Sequence, residues 1–190
     1  RGTNRQNIVY DEAFECTRQF HKELEELFEA LSAEYPNNRV FYERRSKQFA
    51  DNPTVKSYEK ISFRILIQSF VSAFLNCPHK GHKHESKLLQ EFNNKIFIDG
   101  QSQLPYYVSS LMYSDMEKMF KKHVEYKDLK TYKFQILLLI RKLCNNDQFS
   151  INDEKNIDLY CENILPVLHD TQKFEEIFIS AILEFNRLFH

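Results

Sequence analysis

Apolar residues recur at intervals of three and four along most of the chain, the signature of helices that bury one face. Phe20, Leu24, Leu27, Phe28 and Leu31 form such a stripe, with Glu23, Glu25, Glu26 and Glu29 on the solvent side. A helix is therefore predicted from Thr17 onward, ended by Tyr35-Pro36-Asn37-Asn38. Asn52-Pro53 breaks the chain again, because proline disfavours helix at the residue before it. A second helix is predicted over 57–76, with Ile61, Ile65, Leu66, Phe70, Val71, Phe74 and Leu75. It is apolar around most of its circumference, which places it centrally, and Pro78 stops it. Leu88, Leu89, Phe92 and Ile96 predict a helix over 85–98, closed by the Asp99-Gly100 turn. The next begins at Leu104 or Pro105 and carries Tyr107, Val108, Leu111, Met112, Met116, Met119 and Phe120. Another is predicted over 126–143, closed by Asn145-Asn146-Asp147. Ser150 to Glu154 reads as a helix entry ahead of Ile157, Tyr160, Cys161, Ile164 and Leu165, and Pro166 should kink or end that helix. Asp170 or Thr171 caps a last helix bearing Phe174, Ile177, Phe178, Ala181, Ile182, Phe185 and Leu188.

The pattern predicts an all-α fold, an irregular bundle of about seven helices. A short extended segment near 39–43 is the one addition. Composition agrees: 17 Phe and 10 Tyr supply a core, while 3 Gly and 5 Pro are too few for the turns of a barrel or sandwich. The 190 residues fit a single helical domain, with the polar residues 1–10 as a junction or frayed end.

Charge narrows the functional classes. A net charge of -1 makes no case for nucleic-acid binding by bulk attraction, so such binding would need a local patch. Cys16, Cys77, Cys144 and Cys161 are widely spaced, without a CxxC pair, and read as free thiols in a reducing cytoplasm. No apolar run is long enough to span a membrane, so no membrane association is expected. The first residue is Arg rather than Met, which reads as a piece of a longer protein.

One stretch fits no amphipathic template. Phe41-Tyr42-Glu43-Arg44-Arg45-Ser46-Lys47-Gln48-Phe49 mixes aromatic and charged groups on both faces, whether wound as a helix or extended as a strand. An arginine drawn toward apolar neighbours needs a fixed acceptor. Two readings stay open. In one, Glu43 and Arg44 form an internal ion pair that docks this stretch onto the helices, the commoner use of such clusters. In the other, Arg44 and Arg45 hold phosphate, Tyr42 or Phe41 stacks on a base, and Arg5, Arg39 and Lys47 extend the patch.

The order of two motifs carries a resemblance. Thr3-Asn4-Arg5-Gln6-Asn7-Ile8-Val9 precedes an acidic helix, and Phe41 to Phe49 follows it. This arrangement resembles the abortive-infection phage-resistance (AIPR) family of bacterial proteins. Leu66-Ile67-Gln68-Ser69-Phe70-Val71 and Pro78-His79-Lys80-Gly81-His82 are similar to segments of that family as well. The likeness covers roughly residues 1–120 with decreasing strength. It implies that this chain is the C-terminal helical portion of a longer antiphage protein. It also implies that any nuclease centre lies in an upstream part of restriction-endonuclease type, and that Thr3, Asn4 and Gln6 line the junction between the parts.

Other candidate chemistry is thinner. His79, His82 and His84 could approach one metal ion, but Lys80 and Lys83 between them repel a cation, and an exposed loop is the plainer reading. Asp115, Glu117, Asp153 and Glu154 follow the spacing of surface helices rather than of a metal-dependent nuclease. Cys16 with His21, or Cys161 with His169, lacks any motif for nucleophilic catalysis. No catalytic residue and no cofactor is assigned. The partners expected are the upstream part of the same protein, DNA or RNA, and a second copy of the chain. The leading function is a non-catalytic module that docks on or regulates the upstream part; the alternatives are a nucleic-acid-binding module and, last, an autonomous nuclease.

Overall fold

In the computed structural model, which describes residues 15–145 and 154–189, the acidic amphipathic stripe folds as α1 (Glu15–Glu34). A single 3-10 turn, Pro36–Asn38, follows, and the chain then extends as β1 (Phe41–Glu43). Its partner is β2 (Lys60–Ser62), paired in parallel with Phe41 opposite Lys60, Tyr42 opposite Ile61 and Glu43 opposite Ser62. The crossover between them is a run of turns from 44 to 56, with Gln48 N–H donating to the Arg45 carbonyl, Ala50 to Lys47 and Asn52 to Phe49.

The central helix expected from residue 57 starts later. Residues 57–59 form a 3-10 turn, 60–62 are used by the strand pair, and α2 runs Phe63–Phe74. Ser62 is the cap, its hydroxyl accepting from Ile65 N–H at 3.2 Å. Every residue of α2 from Leu66 to Phe74 is buried, as its all-round apolar sequence requires. Its main packing partner is α4 (Leu104–Lys122), buried without interruption from Pro105 to Met116. Pro105 sits in the first turn of α4, where its missing N–H costs nothing.

The helix predicted over 85–98 is short. α3 covers Glu85–Glu91 only. Beyond it Phe97 adopts a left-handed conformation (φ 54°), and its N–H donates to the Tyr106 hydroxyl at 3.0 Å instead of to a helical carbonyl. The helix expected over 126–143 is likewise divided. Val124–Tyr132 winds as 3-10 turns with no buried residue, and α5 is Lys133–Cys144. The first half lacks a continuous apolar face, whereas Phe134, Ile136, Leu137 and Ile140 supply one for the second.

α6 (Glu154–Leu168) runs on for two residues past Pro166, so the proline lies within its last turn. The entry expected at 150–153 lies outside the described residues. α7 (Thr171–Phe189) is capped by Asp170, whose carboxylate accepts from Lys173 N–H at 3.1 Å. α5 packs on both α2 and α7, and α6 packs on α4. The result is mostly helical: seven α-helices and one two-stranded parallel sheet among the described residues. No described helix is long and apolar enough to cross a membrane.

Candidate cationic docking surface

Strand alternation decides where the polar-aromatic stretch points. Tyr42 turns inward and is only 3% exposed. Its hydroxyl meets His21 Nδ1 at 2.8 Å, and its ring lies 5.6 Å from that of Phe28. Burial, helped by the charge of Arg44, lowers the His21 pKa to about 3, so the imidazole is neutral. Burial likewise pushes the Tyr42 phenol well above its ordinary range. The base-stacking role expected for Tyr42 is therefore corrected: its ring is spent on the core.

The docking ion pair exists, between other partners than expected. Arg39 Nε donates to Glu59 Oε2 at 2.5 Å, and its Nη2 donates to the Thr54 carbonyl. The guanidinium also sits over the Phe41 ring, 5.2 Å from its centroid. Glu59 is buried and takes a second bond from Lys56 N–H at 2.7 Å, so its carboxylate ties the segment before β1 to the last residue of the crossover. Arg39 is thus engaged within the fold, by Glu59 and the Thr54 carbonyl. Arg44 lies 3.7 Å from Glu25 on α1, which corrects the predicted Glu43–Arg44 pair. Successive side chains of an extended segment project to opposite faces, so these two neighbours diverge. No ion pair of Glu43 is present among the described residues.

The outward remainder is Arg45, Ser46, Lys47 and Gln48, all exposed. Arg45 N–H donates to the Gln48 side-chain oxygen at 3.3 Å, and Lys47 has a left-handed backbone (φ 61°), so the turn is tight. Neither Arg45 nor Lys47 has an ion-pair partner among the described residues. The same unit also exposes Lys56, and Lys60 on β2 is half-buried. Sequence reasoning passed over both, because only the strand pairing brings Lys60 beside Phe41. Arg5, Thr3, Asn4 and Gln6 lie outside the described residues.

The histidine loop is built for packing. Gly81 is buried where a Cβ would fall 2.5 Å from Phe134 Cγ and 2.6 Å from Ser72 Oγ. His82 sets its edge on the Phe134 ring at 5.0 Å. His84 Nδ1 caps α3 by accepting from Ser86 N–H at 3.2 Å. Lys80 and Lys83 both pair with Glu91, and the Lys83 carbonyl accepts from Gln68 at 2.8 Å. Among the described residues no three His, Cys, Asp or Glu side chains converge on a metal position. His82 and His84 are accordingly spent on different local contacts.

The remaining candidates are also placed. His169 stacks on Tyr35 at 3.6 Å and meets the Tyr107 hydroxyl at 3.3 Å, so it does not activate Cys161. Burial raises the Cys161 thiol, and raises Cys144 to about 12, leaving both protonated. Asp115 was expected on the surface and is instead 3% exposed. It accepts from Asn38 at 3.4 Å, and Lys118 lies at 4.0 Å. Burial lifts its pKa to about 7 against the opposing pull of Lys118 and Asn38.

A family model described as AIPR protein matches residues 1–185. No curated protein matches the chain, and no solved structure does.

Proposed function

Since the chain belongs to the AIPR family of abortive-infection phage-resistance proteins, we propose that it is a non-catalytic helical module which docks on, and regulates, a nuclease-like part of the same defence protein. The docking element is the turn carrying Arg45 and Lys47. The observation behind this reading is the division of labour along one short stretch. Arg39, Tyr42 and Arg44 are engaged with Glu59, His21 and Glu25, so the crossover is held rigidly. Arg45 and Lys47 are left at its exposed tip. A turn with a fixed backbone and outward cations suits an acidic surface on a partner part, because little backbone freedom remains to be lost on contact.

The test expresses this chain and the preceding part of the protein separately and measures their association by pull-down. Association that is lost in the Arg45→Glu, Lys47→Glu variant is expected; association unchanged in that variant would overturn the assignment of the turn. A second reading, nucleic-acid binding, rests on the same exposed cations with Lys56 and Lys60. A gel shift with DNA and RNA at low and moderate salt separates it: binding that weakens with salt and disappears in the double variant favours the nucleic acid.

A further inference from the structure

Three aromatic side chains around the strand pair are not used by the core. Phe41 on β1, Phe49 in the crossover and Tyr58 in the turn before β2 are half-buried, and none of them joins the hydrophobic core. Tyr42 and Ile61, which face each other across the pair, are buried. Phe41 and its opposite number Lys60 therefore share the other, outward face.

Contacts link the three rings into one chain of neighbours. Phe49 lies 5.4 Å from Phe41, ring to ring. Two residues before Lys60, Tyr58 is fastened to α4, its carbonyl accepting from the Ser114 hydroxyl at 2.6 Å. Lys118 and Lys121, one turn apart on α4, both bring their ammonium groups over the Tyr58 ring, 5.3 and 5.7 Å from its centroid. Like charges on neighbouring helix positions repel, and an anion beside them relieves the repulsion. Lys118 is partly satisfied by the Asn37 carbonyl at 3.1 Å and by Asp115 at 4.0 Å. Lys121 is exposed and has no ion pair among the described residues.

Cations thus accompany every ring. Arg45 and Lys47 stand in the turn that leads into Phe49, Lys60 lies beside Phe41, and Lys118 and Lys121 lie over Tyr58. Carboxylates are few. Glu59 is taken by Arg39, which leaves Glu43 and Asp51 between residues 39 and 60. Cations alone suit any polyanion. Partly open aromatic rings set among them suit a polyanion with unpaired bases, because each base offers a flat face for stacking. In a duplex those faces are covered by the neighbouring pairs.

We propose that Phe49, Phe41 and Tyr58, with the cations between them, form a binding track for single-stranded nucleic acid. Arg45, Lys47, Lys60 and Lys121 hold its phosphates, and the rings take its bases. The proposal rests on the nucleic-acid reading of the exposed turn and adds to it the preference for a single strand and the extension to α4. DNA and RNA strands share this chemistry, so the test has an arm for each.

The test follows the fluorescence anisotropy of a labelled oligothymidine, an oligouridine and a duplex of equal length as the chain is added at low and moderate salt. A single strand bound at least fivefold more tightly than the duplex is expected, and the tighter of the two single strands names the source. Phe49→Ala should weaken single-strand binding at least fivefold and leave duplex binding unchanged. Phe49→Leu, which keeps the bulk and loses the flat ring, should fall with it; a merely structural role would be restored by leucine. Lys121→Glu, outside the docking turn, should weaken single-strand binding and flatten its salt dependence. Equal binding of single strand and duplex, or single-strand binding indifferent to the Phe49 variants or to Lys121→Glu, overturns the track and leaves the nucleic-acid reading of Arg45 and Lys47 standing. No binding to any probe overturns both, while association with the upstream part is read separately by pull-down.

Discussion

Arg39 and Glu59, twenty residues apart, meet at 2.5 Å with unequal exposure: the arginine side chain is 33% exposed and the glutamate 7%. The asymmetry predicts unequal costs. Removing the arginine leaves a shielded carboxylate with only the Lys56 N–H, whereas neutralising the glutamate leaves an arginine that reaches water. Arg39→Ala is expected to destabilise by about 2–3 kcal/mol and Glu59→Gln by about 1 kcal/mol. Urea unfolding of the two variants checks the order; equal losses would show that the burial of Glu59 is not what matters.

Gly81 is fixed by space rather than by backbone. It has helical torsions (φ -58°), yet a Cβ there would lie 2.5 Å from Phe134 Cγ. Phe134 is core and cannot swing out, so Gly81→Ala should cost about 1–3 kcal/mol. Gly100 is the counterpart: φ is 76°, and nothing lies within 4 Å of the added carbon. Gly100→Ala should cost about 1–2 kcal/mol through its left-handed backbone alone. Adding Phe134→Leu should recover part of the Gly81→Ala loss and none of the Gly100→Ala loss, as read from thermal or urea unfolding.

The helices were legible wherever apolar spacing and a cap coincide, as in α7 with Phe174, Phe178, Ala181, Ile182 and Phe185 behind Asp170. The pattern failed where the backbone had a competing partner. Residues 60–62 keep helical spacing with Ile65, but their backbone pairs with 41–43. Phe92 and Ile96 continue the stripe of α3, yet Phe97 N–H is taken by Tyr106. The candidate site was half legible for the same reason. Its unusual composition marked 41–49 as special, but Glu25, Glu59 and His21, which sort its side chains into inward and outward, are distant in sequence. Asp115 has the spacing of a surface carboxylate, and only Asn38, 77 residues away, reveals it as buried.

Tyr42 and His21 share a hydrogen bond inside the core. Tyr42→Phe keeps the ring and deletes the hydroxyl, leaving His21 Nδ1 without that partner. A loss of about 1–2 kcal/mol is expected. Binding of a partner part or of nucleic acid should be unchanged, because the hydroxyl never reaches the surface. Unfolding and binding measured on the same variant separate these effects; weakened binding with full stability would return Tyr42 to the surface.

Asp115 makes stability depend on pH with a sign opposite to that of a salt-bridged carboxylate. Its folded-state pKa, about 7, stands above the ordinary 3.8 because burial penalises the charged form. Below pH about 4 both folded and unfolded states hold the proton, and there is no penalty. From there to pH 7 the folded state keeps a proton that the unfolded state releases, so stability falls as pH rises. Above pH 7 the penalty is complete, on the order of 4 kcal/mol. Lys118, at 4.0 Å, and the Asn38 amide limit it without removing it. Asp115→Asn preserves an oxygen for Asn38 and cannot ionise. The variant should exceed the parent in stability at pH 8 and lose more than half of that advantage by pH 5. Urea unfolding at both values measures the difference; an advantage that stays the same at both would mean that Asp115 does not titrate between them.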